Sequence, residues 1–199
     1  IDSQSNFYVF IANADNSQAS TNGDSIYIQY AQLEQGSYPT SYIPTSGSTV
    51  TRSAETANGA GDASTFNDSE GVLMAEISAL ADDGTARVFG LSDGTNNNRI
   101  IIYYNPNSNN IESFIQSGGV SQVFFSINVN DVKEFNKIAF KYKQNDFSLF
   151  MNGIKVGTDL SGNVSIGLNS LNFTDGNGGA PFYGNTKQIQ YFDSALNDS

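Results

Sequence analysis

The chain contains no cysteine and no histidine, and these two absences exclude several kinds of chemistry at once. Without cysteine there are no disulfides, thiol nucleophiles or cysteine-based zinc sites. Without histidine the chain lacks the commonest general base and the usual ligand of transition metals. Glycosidase chemistry by Asp and Glu, Ser-Lys hydrolysis and calcium-assisted lyase chemistry are the enzymatic alternatives that remain.

Basic residues are also scarce, because 9 Lys and Arg stand against 20 Asp and Glu and the net charge is −11. Phosphate backbones and anionic lipid surfaces are bound by clustered Lys and Arg, so we expect neither nucleic acid nor a membrane as a partner. No apolar run approaches the roughly 20 residues that a spanning helix needs. The chain starts at Ile1 without a visible signal peptide, and we interpret it as a piece of a longer protein.

Short runs of Val, Ile, Tyr, Phe and Thr are abundant, and Asn, Gly, Asp and Ser fill the gaps between them. Such runs predict β-strands, and pairs such as Asp93-Gly94 and Asn152-Gly153 predict tight turns with positive φ. After residue 49 we expect strands at 71–79, 86–91, 99–104, 110–116, 122–127, 136–143, 147–151, 154–156, 170–173 and 186–192. Many short strands without intervening helical segments predict a β-sandwich or barrel.

The clearest local pattern lies at residues 136–156. Apolar side chains alternate with lysines over 137–143, and apolar side chains alternate again over 147–151. Asn152-Gly153 then forms a turn before a further short strand. The pattern predicts a meander of hairpins with one buried face.

This meander, KIAFKYKQNDFSLFMNG at residues 137–153, resembles the central signature of laminin G and concanavalin A-like domains. Residues 49–55 and 70–76 resemble the opening of such a domain, and residues 184–198 resemble its closing strand. The resemblance covers residues 49–199. It implies an all-β fold, a concanavalin A-like (laminin G-like) antiparallel β-sandwich jelly roll.

A second resemblance concerns residues 31–47, AQLEQGSYPTSYIPTSG. They are similar to a junction of bacteriophage tail-fibre and other virion proteins that follows a carbohydrate-binding-module-like β domain and precedes a laminin G-like domain. The resemblance implies that residues 1–34 are the last strands of a truncated β domain, with strands at 7–12 and 25–31. Residues 35–48 would then be an ordered linker, and residues 49–199 the sandwich.

Sugar binding needs aromatic faces for stacking and planar polar groups for hydroxyls. In this fold such residues lie on one sheet or on the loops at one rim. The candidates are Arg87, Asp93, Asn96, Asn98, Arg99, Tyr103 and Tyr104, with Tyr183 and its neighbour Phe182 in a Gly-rich loop. The alternative for each is structural: a tyrosine faces the core, Arg99 pairs with an acid, or a loop aromatic anchors its loop by packing.

Calcium binding needs several converging oxygen ligands. The contributors that the sequence offers are Asp62, Asp68, Asp175, Asn177 and Asp193, and the alternative is that they are solvated loop residues. Calcium is the one cofactor considered. For glycosidase chemistry the sequence offers Glu70, Glu76 and Glu112, but the closely spaced Glu-x-Asp-x-x-Glu signature is missing. We therefore expect no catalytic residues and no enzyme.

Together these observations predict a non-catalytic adhesion or structural module of a virion, part of a phage tail or head fibre-like protein. Its expected partner is polysaccharide or cell-surface glycan, and family resemblance implies a homo-oligomer, with a trimer as one form. One alternative is a carbohydrate-binding module of a secreted bacterial polysaccharide-degrading enzyme. Another is an architectural spacer without a ligand.

Overall fold

The structure is a computed structural model, and it describes Tyr27, Gln29, Gln32 and residues 41–51, 58–107 and 109–197. The chain divides into two compact units, Ile1–Arg52 and Ser53–Ser199. Apart from Tyr27 and Gln29, the strands expected at 7–12 and 25–31 lie outside the described residues.

In the first unit, the side-chain amide of Gln32 bonds to the backbone of residues 41–43. Its Nε2 donates to the carbonyl oxygen of Ser41 at 3.4 Å, and its Oε1 accepts from the N–H of Ile43 at 2.7 Å. This glutamine thus holds the segment that the sequence assigns to the linker.

The second unit is built from β-strands. They are β1 (Asn58–Ala60), β2 (Glu70–Ala79), β3 (Arg87–Ser92), β4 (Arg99–Tyr104), β5 (Asn110–Ser117), β6 (Val120–Asn128), β7 (Asn136–Lys143), β8 (Phe147–Met151), β9 (Ile154–Asp159), β10 (Ser170–Asn172) and β11 (Gly184–Phe192). The described residues include no helix with the length and apolar character that crossing a membrane requires.

The strands form two antiparallel sheets. The six-stranded sheet has the order β1-β10-β3-β4-β5-β6, and the five-stranded sheet has the order β11-β2-β7-β8-β9. Hairpins join β3 through β6 and β7 through β9, whereas the chain changes sheets between β1 and β2, β2 and β3, β6 and β7, β9 and β10, and β10 and β11. The prediction of an all-β antiparallel jelly-roll sandwich is confirmed.

Each strand expected after residue 49 is present in the structure. β4, β7 and β8 have the expected bounds, while β6 begins two residues early at Val120 and β9 continues to Asp159. The sequence does not predict β1, because Asn58–Ala60 is short and lacks apolar alternation. It forms because it pairs with β10, a contact between residues far apart in sequence.

The meander of β7, β8 and β9 follows the expected pattern with one exception. Asn152 and Gly153 have φ values of 51° and 83°, as a hairpin turn with positive φ requires. Lys137 and Lys143 are exposed, but Lys141 is only 6% exposed and its Nζ lies 3.1 Å from the Asp146 carboxylate. The outer face of this sheet is therefore not uniformly open to solvent.

The core lies between the two sheets, where the inward-facing residues of the strands meet. Its fully buried side chains include Leu73, Ile77, Phe89, Leu91, Ile100, Ile102, Ile111, Phe140, Tyr142 and Phe147. Burial of each large apolar side chain contributes about 1.5–3 kcal/mol to folding. The alternation of these residues fixes which side chains point away from the core.

Residues 160–169 carry the chain from β9 in one sheet to β10 in the other. The Asp68 carboxylate accepts the N–H groups of Gly167 at 2.6 Å and Leu168 at 2.9 Å. The Gln122 side chain accepts the N–H of Asn163 at 3.1 Å. These bonds hold the crossover in place, and Leu168 is buried beneath it.

Candidate functional site

Aromatic and polar side chains gather on the outer face of the six-stranded sheet. Since Ile100 and Ile102 point into the core, Arg99 and Tyr103 of β4 must point outward. The register between β4 and β5 brings outward residues of β5 beside them. We define the outer-face cluster as Arg99, Tyr103, Glu112, Phe114 and Gln116.

Arg99 lies at one end of the cluster and is held by two amide oxygens. Its Nε donates to Gln116 Oε1 at 2.6 Å, and its Nη1 donates to Asn96 Oδ1 at 2.7 Å. The guanidinium carbon lies 4.9 Å from the centre of the Phe114 ring, a cation–π arrangement. Burial lowers the pKa of Arg99, and the nearby charge of Asp175 opposes this shift.

Tyr103 and Glu112 form the other end of the cluster. The Tyr103 hydroxyl donates to Glu112 Oε2, and the Asn105 amide donates to Oε1 at 2.7 Å. Burial raises the pKa of Glu112, while a hydrogen bond from Ser126 lowers it by less. The Tyr103 ring meets the Phe114 ring edge to face, with centres 5.8 Å apart.

An apolar floor lies beside the cluster on the same face. Ile101 points outward between Arg99 and Tyr103, yet it is only 1% exposed. It lies over Gly90, where a Cβ atom would come within 2.9 Å of Ile101 Cδ1. Phe124 of β6, opposite Phe114 in the register, continues this apolar surface and is 55% exposed.

The loop 93–98 forms one rim of this face and is locked by its own side chains. Asp93 Oδ1 accepts the N–H of Thr95 at 2.8 Å, and Asp93 Oδ2 accepts the Asn98 amide at 2.8 Å. Burial raises the pKa of Asp93, but the hydrogen bonds from Thr95 and Asn98 outweigh it and leave the pKa lowered. Asp93 and Asn98 therefore shape the loop, whereas Asn96 supports Arg99.

The loop 174–179 meets the loop 93–98 at this rim. Asp175 Oδ1 accepts the N–H of Gly179 at 2.5 Å and that of Asn177 at 3.3 Å. Gly176 passes so close to Thr95 that a Cβ atom would lie 1.8 Å from the Thr95 carbonyl oxygen. The Asn177 amide lies within 3.3 Å of both Asp175 and the Asn96 amide. Residues expected for sugar and for calcium thus meet in one place.

Two of the expected sugar-binding residues are in the core instead, and these assignments are corrected. Tyr104 is 2% exposed, and its hydroxyl donates to the Ile77 carbonyl oxygen at 2.9 Å. Arg87 is also 2% exposed and bonds to Asp83 and to backbone carbonyls. Both residues face inward. Arg87 lies on the same face of β3 as the buried Phe89, and Tyr104 is the residue of β4 that pairs with Arg87.

Tyr183 and Phe182 are separated from the cluster. The Phe182 ring packs on Phe89 at 5.8 Å between ring centres, so it is an anchor of its loop. Tyr183 is 46% exposed, and its carbonyl oxygen accepts a bond from Arg87 at the far end of β3 from Arg99. Tyr183 therefore remains exposed, but it does not join the outer-face cluster.

The calcium candidates are dispersed, and most already accept N–H groups. Asp62 caps a turn through Ser64 and Thr65, and the hydrogen bonds from Ser64 lower its pKa most. Asp68 holds the crossover 160–169, and the carbonyl oxygen of Asp193 accepts the Asn67 amide at 2.7 Å. No three acidic side chains among the described residues converge as a metal site would require. Calcium binding stays a prediction.

Phe114, Gln116 and Phe124 are not among the residues predicted from the sequence, and Glu112 was predicted only as a candidate catalytic acid. Strand alternation indicates that these residues point outward, but it does not show what lies beside them. The β4–β5 register places Gln116 opposite Arg99 and Glu112 opposite Tyr103. The predicted strands at 99–104 and 110–116 are adjacent in sequence. Pairing them as a hairpin would have placed Gln116 and Glu112 opposite Arg99 and Tyr103.

No protein-family model matches the chain, and no curated protein matches it. Among solved structures, the CBM40 of the Ruminococcus gnavus IT-sialidase bound to alpha2,3 sialyllactose is similar, with a TM-score of 0.56 and 16% identity. The match covers 73% of this chain and 93% of that one. The chain has the sandwich fold of this module.

Two longer proteins contain a part with the same fold. A leech intramolecular trans-sialidase complexed with 2,7-anhydro-Neu5Ac matches with a TM-score of 0.52 and 18% identity over 71% of this chain and 25% of that one. NanB, solved with Optactamide, matches with a TM-score of 0.53 and 18% identity over 68% of this chain and 24% of that one. At these identities the likeness concerns the fold alone.

Proposed function

We propose that the sandwich domain binds glycan on the outer face of its six-stranded sheet, through the outer-face cluster. The observation that carries the proposal is the position of Arg99, which two amide oxygens hold over the Phe114 ring. A fixed guanidinium beside aromatic rings combines the planar donor and the stacking surface that sugar recognition uses.

The chemistry of the cluster supports a sugar that carries acidic or hydroxyl oxygens at the Arg99 end. Within the described residues, Nη2 of Arg99 makes no hydrogen bond, so this edge of the guanidinium has donors to offer a ligand. Phe124 supplies exposed apolar surface on the same face. The likeness to a CBM40 bound to alpha2,3 sialyllactose and alpha2,6 sialyllactose supports an acidic glycan as the first probe.

The experiment is a glycan array probed with the chain displayed multivalently, because weak single sites gain strength by avidity. Sialyllactose and lactose form the matched pair of probes for the acidic group. We expect Arg99→Ala to weaken binding at least about tenfold, the effect of one charge-assisted hydrogen bond. Lys133→Ala is the control, since the side chain of that exposed lysine forms an ion pair with the exposed Asp131 and lies outside the cluster.

Two outcomes would count against the proposal. If no glycan binds the multivalent chain, the domain is an architectural spacer. If glycan binds but Arg99→Ala and Phe114→Ala both bind as well as Lys133→Ala, the site lies elsewhere. Circular dichroism of each variant checks that the fold is retained.

We further propose that the module works in adhesion of a virion, as part of a phage tail or head fibre-like protein. The junction-like segment at residues 31–47 supports this context, together with the division into residues 1–34, 35–48 and 49–199 that it implies. The alternative is a module of a secreted bacterial enzyme, which the likeness to the CBM40 of the Ruminococcus gnavus IT-sialidase supports. Virion-assembly segments or a catalytic domain in the whole protein would decide between them.

We propose that the domain itself is not catalytic. Glu70 and Glu76 form ion pairs with lysines: Lys143 Nζ lies 2.7 Å from the Glu70 carboxylate, and Lys187 Nζ lies 2.9 Å from that of Glu76. Glu112 bonds to Tyr103, so the third candidate acid has a structural partner. Release of free sugar from any glycan that the array identifies would contradict this proposal.

A further inference from the structure

β6 is an edge strand of the six-stranded sheet, and within the described residues it pairs with β5 alone. An edge strand presents unpaired N–H and C=O groups, and proteins usually protect it with charged side chains, proline, bulges or short length. β6 contains no proline, and residues 113–130 contain no charged side chain. Its outward-facing Phe124 is 55% exposed.

One protective feature is present, but only at the start of the strand. The register between β5 and β6 shifts around Gln122, which is the extra residue of a bulge. Beyond it, Val123–Asn128 is regularly paired with β5 and has an apolar, β-branched and aromatic composition. This stretch is the unprotected part of the edge.

The other edge strands in the described part of the chain are protected. β9 carries Lys155 and Asp159 together with a register shift, and β11 carries Lys187 at a register shift. β1 spans only Asn58–Ala60. Among these edge strands, β6 alone is both long and uncharged, although the chain as a whole is strongly acidic.

We propose that β6 is the interface through which two copies of this chain associate, by antiparallel pairing of β6 with the β6 of a second copy about a twofold axis. Each copy has a net charge of −11, so two copies repel each other. Approach along the uncharged edge keeps like charges apart and satisfies the free backbone groups of both strands. The second copy therefore fits this edge better than a basic partner, which would seek the acidic surfaces.

Twofold symmetry restricts the register of this pairing. Opposite residues of an antiparallel pair share one face of the sheet, so one residue of β6 must pair with its own copy, and the axis runs between these two copies. Pairing Phe125 with its own copy sets Val123 against Ile127 of the second copy and Phe124 against Ser126 of the second copy. Residues 113–130 contribute no charged side chain to this contact.

The pairing has a functional consequence, which rests on the proposed glycan site. A twofold axis perpendicular to the sheet keeps the outer faces of both copies on the same side. The two outer-face clusters then lie on one continuous sheet and face the same target surface. Simultaneous contact at both sites raises the apparent affinity for a glycan-coated surface through avidity.

The test is the mass of the chain in solution, measured by sedimentation and by light scattering at micromolar concentration. We expect twice the monomer mass of 21.4 kDa for the unmodified chain. Phe124→Lys and Ser126→Lys each place a charge on the exposed edge, and each should raise the dissociation constant at least about tenfold. Ile154→Lys makes the same charge change on β9, where Ile154 is 68% exposed, and should leave the mass unchanged.

Three results would overturn the proposal. They are a monomeric mass for the unmodified chain, a mass of three copies, and equal effects of Phe124→Lys and Ile154→Lys. Both target positions are exposed, but Ser126 also donates a hydrogen bond to Glu112, so the thermal transition of each variant is measured to check that the fold is retained. The measurement needs no glycan, so it can fail while the proposed glycan binding holds, and the reverse is also true.

Discussion

Arg87→Met should destabilise the domain without removing any group from the glycan site. All of the Arg87 bonds are internal: Nε donates to the Tyr183 carbonyl oxygen at 2.7 Å, Nη1 to that of Thr85 at 2.9 Å, and Nη2 to the Asp83 carboxylate at 2.9 and 3.0 Å. The arginine thus joins β3 to the loop that precedes β11. Methionine keeps the aliphatic volume but loses these bonds.

The size of the loss follows from the burial of the pair. Removing one partner of a buried ion pair costs about 3–5 kcal/mol, because the other charge stays buried without compensation. The Arg87 side chain is 3% exposed but the Asp83 side chain is 26% exposed, so water partly solvates the remaining carboxylate. We therefore expect the low end, about 3 kcal/mol, which for a chain of this length lowers Tm by about 6–12 °C.

Urea unfolding and thermal melting measure this loss, and Lys133→Met is the matched control. Lys133 and Asp131 form a pair with side chains 55% and 39% exposed, so its loss should cost below about 0.5 kcal/mol. The Arg87→Met deficit should also shrink as the pH falls through the lowered pKa of Asp83, where the pair breaks in the unmodified chain as well. Equal stability of the two variants would refute the structural role of Arg87.

Four further predictions concern other parts of the domain. Gly71→Ala should lose about 1–3 kcal/mol in urea unfolding, because a Cβ atom there would lie 2.7 Å from the Tyr142 hydroxyl oxygen; no loss would mean that the strand shifts freely. Asp68→Ala should lose about 2 kcal/mol by releasing the N–H of Gly167 and its neighbour, and Asp68→Asn should lose less. Burial raises the pKa of Glu112 in the folded chain, so folding favours the protonated form of this side chain. This contribution to stability is complete below the ordinary glutamate pKa and is lost as the pH rises through the raised pKa. Glu112→Gln should remove this loss, and the stability of the variant relative to the unmodified chain should grow from about pH 4 to pH 7; a constant difference would contradict the shift. A melting temperature that is the same with calcium and with chelator would remove the predicted calcium site.

The strands of the sandwich could be predicted from the sequence because their signals are local. Alternation of apolar and polar residues defines β7 and β8, and Asn152-Gly153 marks the turn after them. β1 could not be predicted in this way, since Asn58–Ala60 becomes a strand only through β10. The same limit explains why the paired partners of Arg99 were not foreseen.

Arg87 and Arg99 show how far the sequence goes in identifying the site. Both arginines lie at the start of a strand beside a loop, and the sequence offers no reason to treat them differently. In the structure, Arg87 shares the inward face with Phe89, while Arg99 lies on the opposite face from Ile100. Because successive residues of a strand point to opposite faces, a shift of one position decides whether an arginine forms a buried ion pair, as Arg87 does, or points to the outer face, as Arg99 does.

The sequence by itself determined the class of fold, the strand bounds within a few residues and the absence of thiol and imidazole chemistry, because composition and alternation are local properties of the chain. Only the tertiary structure decided which polar residues meet. Gln116 reaches Arg99 through strand pairing, and Asn96 and Asn177 meet through the approach of two loops that Gly176 permits. Such contacts depend on register and on the path of the backbone in space, which no single segment encodes.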